Sequence, residues 1–428
     1  MSTATVAVKT NHNQVYLYFG TMIFLIGIVN PTYYTTDIAT SFMLKDQLHL
    51  SASAVSIFRA VTPLPVYAAF LFGLIRDRWS PFGLRDRGLY ILFGPVTALI
   101  FFMLAHTKLT LASMYIGIFL LMASSRFVIA AYQGLIALVG QEKLMSGRLA
   151  VVWNSVLMIP VAIGAVGGGW MADHLKPDQS FTILAVLMLL VGALGFWKPA
   201  SVFNHAYDQP QAQTTTLGDD VRRLLKHKAI YPAVIIMLLW NFAPGSNTPL
   251  QYYLTNHLHT SDQTYGYFNA IFALTFIPTF LVFAFLCKRV PLSKLLWWGT
   301  IIAIPQLVPL LFIRSATGAL VLAVPIGLMG GVATAAYYDL AMRSCPPGLQ
   351  GTLMLMVDAG YWLAQRLGDI LGSKIYESNE KYGFLYCVIS ICIVYALILP
   401  CILWVPKHLI ATPDGEPNSE PSLEQIPA

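Results

Sequence analysis

The chain has 428 residues, of which 57% are hydrophobic and 11% charged, and its mean hydropathy is +0.64. A soluble domain carries about 45–50% apolar and about 25% charged residues. A water-soluble globule of this size could not hide such a surplus, and fibrous, disordered and disulfide-framework classes are excluded as well. The net charge of +6 sits in loops between apolar runs rather than in a stripe. That excludes a nucleic-acid partner and leaves a polytopic protein whose first partner is the lipid bilayer.

A membrane-crossing helix needs roughly 20 apolar residues. Twelve such runs read out, over about 15–41, 53–76, 88–106, 110–135, 149–172, 180–197, 229–253, 265–287, 294–313, 317–341, 351–373 and 383–405. None alternates as a barrel strand would, so the predicted fold class is all-α, an integral membrane protein with 12 transmembrane helices. The first fifteen residues are polar and the first apolar run is long enough to span, so no cleavable signal peptide is expected. With the N-terminus in the cytoplasm, cytoplasmic segments hold 17 lysines and arginines and the opposite side 6, with Arg59, Arg126 and Arg366 inside spans. This bias predicts both termini cytoplasmic in a cell membrane, and so compact a chain suits a prokaryotic inner membrane. All five cysteines fall in spans or cytoplasmic loops, so no disulfide is expected.

Ionisable residues inside spans are costly and default to functional candidates. Span one breaks at Asn30-Pro31 beside Tyr33 and Tyr34. Asp37, farther out, either pairs with Arg59 of span two or lines a cavity and takes up a proton. Between spans two and three, Gly73 permits close helix approach. Asp77 can accept from backbone N–H groups or from Arg85 or Arg87, which follow Gly83. Such a cluster can latch the cytoplasmic face shut and release it; the plainer alternative is a solvated, positive-inside loop. Span four carries Arg126 at mid-span, with Ser124, Ser125, Tyr132 and Gln133. A buried arginine suits a carboxylate or phosphate on a substrate, and a structural ion pair with an aspartate is the alternative.

The glycine run Gly164–Gly169 in span five predicts a close helix contact. The polar stretch 198–228 reads as a linker, and span seven carries Trp240, Asn241 and a break at Pro244-Gly245. Further breaks are expected at Pro63-Leu64-Pro65, Pro160 and Pro278. Span ten ends with Tyr337, Tyr338 and Asp339, the last read as an interfacial charge. Span eleven carries Asp358 at its middle, Tyr361, Trp362, and Arg366 placed to pair with Asp369 three residues on. No partner for Asp358 is evident in sequence, which makes it, with Asp37, the candidate proton carrier. No histidine lies in a span, so coupling would run through aspartate. The aromatic residues at these interruptions could stack on a flat ring, with core packing the alternative for each. The Pro/Glu/Ser-rich tail 409–428 is expected to be disordered.

The chain contains a diverged copy of itself. Met43–Pro81 aligns with Tyr253–Pro291 at a constant shift of 210 with 10 identities in 39 positions, among them His49/His259, Ser51/Ser261 and Pro81/Pro291. Ala130-Ala131-Tyr132 likewise matches Ala335-Ala336-Tyr337, and Ser146-Gly147-Arg148-Leu149 matches Gln350-Gly351-Thr352-Leu353. Six spans separate the copies, an even number, so the two six-helix halves (1–197 and 229–408) share one orientation. That parallel repeat is the arrangement of major facilitator halves, with a site near the midplane.

Three segments resemble the folate–biopterin transporter branch of the major facilitator superfamily. They are the loop from Gly73 through Asp77, Pro81, Gly83, Arg85 and Arg87 to Tyr90, the run Leu239–Pro244 followed by Tyr252–Leu258, and the run Leu340–Leu353 with its Cys345-Pro346-Pro347-Gly348. Asp86 stands where that branch has an arginine. The first loop is also similar to that of muropeptide, acetyl-CoA and sucrose carriers. The resemblance implies a secondary carrier working by alternating access on a small-molecule substrate, with a proton or another ion as coupling partner and a folate- or pterin-like organic anion as cargo. A muropeptide, sugar or CoA-like cargo is the alternative, and so is a non-transporting assembly factor of a membrane complex. A monomer with no cofactor or metal is expected, because no P-loop, zinc spacing or Gly-X-Ser-X-Gly motif occurs.

Overall fold

The computed structural model describes residues 12–33, 35–36, 40, 43–44, 48–50, 52–108, 110–203, 216–260 and 262–416, and within them the chain contains helices and no strand. Asp37 and Tyr34 lie outside the described residues. The first half comprises α1 (His12–Val29), α2 in three pieces (Ala52–Val61, Leu64–Tyr67 and Ala69–Arg78), α3 (Asp86–His106), α4 (Leu111–Glu142), α5 (Ser146–His174) and α6 (Pro177–Ala193). The second comprises α7 (Ile230–Asn241, resumed by Thr248–Tyr252), α8 (Asp262–Leu286), α9 (Leu292–Ala303), α10 (Ala316–Arg343), α11 (Gln350–Glu377) and α12 (Gly383–Ala396, resumed by Ile398–Leu403). Among the described residues, ten helices are long and apolar enough to cross a membrane. The other two explain themselves: α7 stops at Asn241, and α11 carries Asp358, Arg366, Asp369, Lys374 and Glu377.

A short amphipathic helix, Leu217–Lys226, lies between the halves, its first turn closed by reciprocal bonds between Thr216 and Asp219. Those bonds also hold the exposed Asp219 carboxyl below its ordinary value. Within the halves α3 packs on α6 and α10 on both α8 and α9, while α2 and α4 meet α11 and α5 meets α8 and α10 across the divide.

The duplication is visible in backbone geometry. His49 and His259 both hold a positive φ, at 49° and 52°. Leu48 N donates to Met43 O and Leu258 N to Tyr253 O, each at 3.1 Å, and the next pair, Leu50 N to Leu44 O and Thr260 N to Leu254 O, both measure 3.0 Å. The residues before α5 and α11 repeat as well, Met145 with φ −135° and ψ 27° and Leu349 with φ −124° and ψ 25°.

Some expectations about local structure need correction. A Cβ on Gly167 would meet nothing within 4 Å, so this member of the glycine run makes no tight contact. Pro160 and Pro278 lie inside the unbroken helices α5 and α8. The Pro160 ring fills the notch left by Gly27 of α1, where a Cβ would fall 2.5 Å from it, so a neighbouring helix takes up the irregularity. In the tail, against the expected disorder of this stretch, Leu409 and Ile410 in the turn Lys407–Ile410 are buried, and so is Asp414.

Candidate functional site

Arg126 of α4 is 1% exposed, and α11 brings Asp358 to it across the divide between the halves. Arg126 Nη1 donates to Asp358 Oδ2 at 2.8 Å, and Nη2 donates to Asn30 Oδ1 at 3.2 Å. The break after α1 makes the second bond possible. With the helix ended at Val29, Asn30 Oδ1 also accepts from Thr32 N at 3.2 Å and Thr32 Oγ1 at 2.9 Å. The Gln133 amide, two turns along α4, lies beside the Asp358 carboxylate. Arg126 Nε has no hydrogen-bond partner among the described residues. A buried guanidinium is stable only when paired, so the expectation of an unpartnered Asp358 is corrected: its partner is Arg126.

Aromatic rings bracket this pair. On one side Tyr132 stacks on Trp153 with centroids 4.9 Å apart, and Trp153 on Tyr338 at 5.9 Å, a ladder from one half to the other. On the other side Tyr33 meets Trp362 at 6.3 Å, and Trp362 meets Tyr361 at 5.0 Å. Beyond Trp362 lies a cavity of about 230 Å³ whose lining includes Thr32, Phe58, Arg59, Thr62, Trp362 and Arg366. Arg366 lies in that lining rather than on Asp369, which accepts from Thr248 N and Thr248 Oγ1, both at 2.9 Å.

Trp240, Asn241 and Tyr337 belong to a different cluster. Trp240 stacks on Tyr395 at 4.6 Å and meets Tyr337 edge-on at 5.4 Å, while the Tyr337 hydroxyl bonds Thr300 Oγ1 at 2.6 Å. Asn241 donates to Met237 O of its own helix. The sequence placed these residues with Arg126; the structure places them in the packing of the second half.

The end of the bundle where α2 leaves and α11 begins, here called the basic end, is closed. Asp77 Oδ1 accepts from Gly351 N at 3.0 Å, and Oδ2 from Thr352 N at 2.7 Å and Thr352 Oγ1 at 2.6 Å. A carboxylate on the free amides of a helix N-terminus is favoured by both hydrogen bonding and the helix dipole. Gly73 allows it: a Cβ there would fall 2.4 Å from Gly351 O, so α2 and α11 touch backbone to backbone. Gln141 adds a second closure, donating to Met342 O at 2.9 Å and Cys345 O at 2.7 Å and accepting from Gln350. Burial and the Asp77 carboxylate push the Cys345 thiol up.

Of the partners expected for Asp77, backbone N–H groups are found, on Gly351 and Thr352. Arg87 Nε donates to Gly195 O at 2.9 Å, and the backbone N of Arg85 to Ser80 Oγ at 2.7 Å, with Gly83 in the turn at φ 69°. The cation on Asp77 is Arg76, at 2.7 Å, which also grips Asp86 in a bidentate pair at 2.5 and 2.6 Å. The aspartate that departs from the family pattern is thus matched by its own arginine. Asp339, one turn before the end of α10, is fully buried and held by Arg343 at 2.8 and 3.1 Å.

The comparisons agree with this architecture. The sequence model of the Major Facilitator Superfamily matches residues 15–368 and 246–426. The folate-biopterin transporter of Synechocystis is 24% identical over 359 residues, spanning 79% of this chain and 70% of that protein. Sugar efflux transporter B of Salmonella typhimurium is 26% identical over 376 residues, spanning 84% and 89%. The crystal structure of the transporter FucP in its outward conformation shares the fold with a TM-score of 0.67 at 14% identity, covering 92% of this chain and 98% of FucP. The family match spans both halves of the bundle, and this chain belongs to the Major Facilitator Superfamily of small-solute transporters.

Proposed function

We propose that the protein is an alternating-access carrier of an organic anion, with the basic end facing the cytoplasm and a proton as the coupling ion. The observation that carries this reading is the Arg126–Asp358 bond between the halves at 2.8 Å. An anionic substrate entering from the cavity side competes with Asp358 for the guanidinium, and the unpartnered Arg126 Nε is a further donor for it. Once displaced, Asp358 is a half-buried carboxylate without its cation, and such a group takes up a proton more readily. Binding of the anion and of the proton therefore favour each other. Trp362 and Tyr33 offer the faces on which a flat ring would stack. The similarity to the Synechocystis folate-biopterin transporter makes a pterin-bearing anion the first cargo to try.

One observation favours a second reading. The ion pair is neutral as a unit, and with Asn30 and Gln133 it could serve the hydroxyls of an uncharged sugar, the class named for the Salmonella relative. Purified protein is tested by thermal shift against folate, a pterin and neutral disaccharides, then by uptake into proteoliposomes. The anion reading expects stabilisation by folate or pterin that disappears in Arg126→Ala, and uptake that collapses with the proton gradient. Stabilisation by a disaccharide alone, or an anion response unchanged in Arg126→Ala, overturns it.

A further inference from the structure

The duplication assigns a counterpart to each part of the Asp77 latch. At the shift of 210, Asp77 corresponds to Cys287, and in the second register Gly351-Thr352 corresponds to Gly147-Arg148. The second copy therefore lacks a carboxylate at the position matching Asp77, although the helix end that would receive it is built alike; the Asp339 carboxylate of α10, held by Arg343, lies 3.0 Å from where a Cβ on Gly147 would stand. Neither Met145 nor Leu349 caps its helix with its own side chain, and their backbone angles agree. The Cys287 Cβ lies 3.2 Å from where a Cβ on Gly147 would stand, so the two loops meet as Asp77 and Gly351 do.

The vacancy is filled from elsewhere in the chain. Asp414 Oδ1 accepts from Gly147 N at 3.0 Å and Oδ2 from Arg148 Nε at 2.7 Å, while Asp414 N donates to Cys287 O at 2.8 Å. The carboxylate thus arrives seated on the residue that replaced it. Its strand of chain is fastened to the second half: Arg343 Nη1 donates to Leu409 O at 3.2 Å and Thr412 O at 3.1 Å, and Nη2 lies 4.0 Å from Asp414 Oδ1. One half lends a carboxylate to a helix of the other at Asp77, and the loan is returned at Asp414.

We propose that Asp414 is a positioning residue of the transport cycle: the C-terminal segment 407–416 supplies in trans the gate carboxylate that the second copy lost, and its docking closes the basic end. The proposal rests on the alternating-access reading, and the experiment separates the two. In full-length protein with Cys287, Cys387, Cys392 and Cys401 changed to alanine, the remaining Cys345 reports on the basic end, where it is 4% exposed. In a parallel protein with Cys345 also removed, a thiol introduced by Thr62→Cys reports on the cavity side. Each is followed by the rate of maleimide alkylation.

Asp414→Ala is expected to speed Cys345 labelling on the order of tenfold, the worth of one charge-assisted hydrogen bond in a two-state equilibrium, and to slow labelling at the cavity thiol. General destabilisation would speed both. Adding Cys287→Asp to Asp414→Ala, which returns the carboxylate to the position matching Asp77, is expected to restore slow labelling. Faster labelling of both thiols, an unchanged Cys345 rate, or no recovery with Cys287→Asp overturns the proposal. Asp77→Ala is the control: if it moves the two thiols in opposite directions and Asp414→Ala does not, this inference alone fails. If neither variant moves them, alternating access itself is in doubt.

Discussion

Asn30 ends α1 and Asn241 ends the corresponding helix α7, yet their surroundings have diverged. The Asn30 side chain accepts from Arg126 beside the inter-half ion pair, whereas the Asn241 side chain is spent on Met237 O one turn back. Next to Asn241, Trp240 is packed between Tyr337 and Tyr395. A duplicated bundle offers two equivalent places for a polar cluster. The Arg126–Asp358 pair stands beside Asn30, whereas aromatic packing stands beside Asn241. Duplicated architecture thus does not imply duplicated chemistry.

The largest effect that would sharpen this contrast is expected from Arg126→Ala. It leaves Asp358 half-buried without its cation, and thermal unfolding should show a loss of about 3 kcal/mol with transport abolished. Adding Asp358→Asn should recover most of the stability and none of the transport. Trp240→Ala is expected to cost about 3 kcal/mol through its cavity while leaving ligand affinity in the folded protein within roughly twofold, as read by calorimetry. A large affinity loss there would mean that both breaks serve the substrate.

The third expected effect concerns pH. Burial and the neighbouring Asp339 hold Asp414 above the usual carboxylate range, against the pull of Arg148 and the Gly147 amide. Arg343, Cys287 and Tyr16 also face this charge cluster. A raised carboxyl makes docking take up protons, so tail closure is firmest in acid and loosens as pH rises through the raised value. The ratio of Cys345 labelling rates, Asp414→Ala over the parent, should therefore shrink as the pH is raised. The smallest effect is Thr216→Ala, which removes the cap of the helix Leu217–Lys226 and should loosen that segment by about 1 kcal/mol in hydrogen exchange without changing uptake.

Charge inside an apolar run is visible in any sequence, so Arg126 and Asp358 stood out separately. Their pairing did not, because they stand 232 positions apart and nothing local records it. For Asp77 the sequence suggests backbone N–H groups or the loop's own Arg85 and Arg87. It does not say which amides: those of α11 are 274 and 275 residues away, and a cation, Arg76, is the adjacent residue. Asp414 was hidden by composition, since a Pro/Glu/Ser-rich tail looks unstructured. The available signal was the repeat, which puts a cysteine where a carboxylate is due. The repeat itself was legible because its turns need the same backbone twice, at His49 and His259.

The bare seam between Gly73 and Gly351 has a consequence for wear and error. Because main chain meets main chain there, no side chain of α2 stands between Gly73 and the first turn of α11. The same bareness leaves no tolerance: a single methyl group on Gly73 would fall 2.4 Å from the opposing oxygen and act as a doorstop between the two helices.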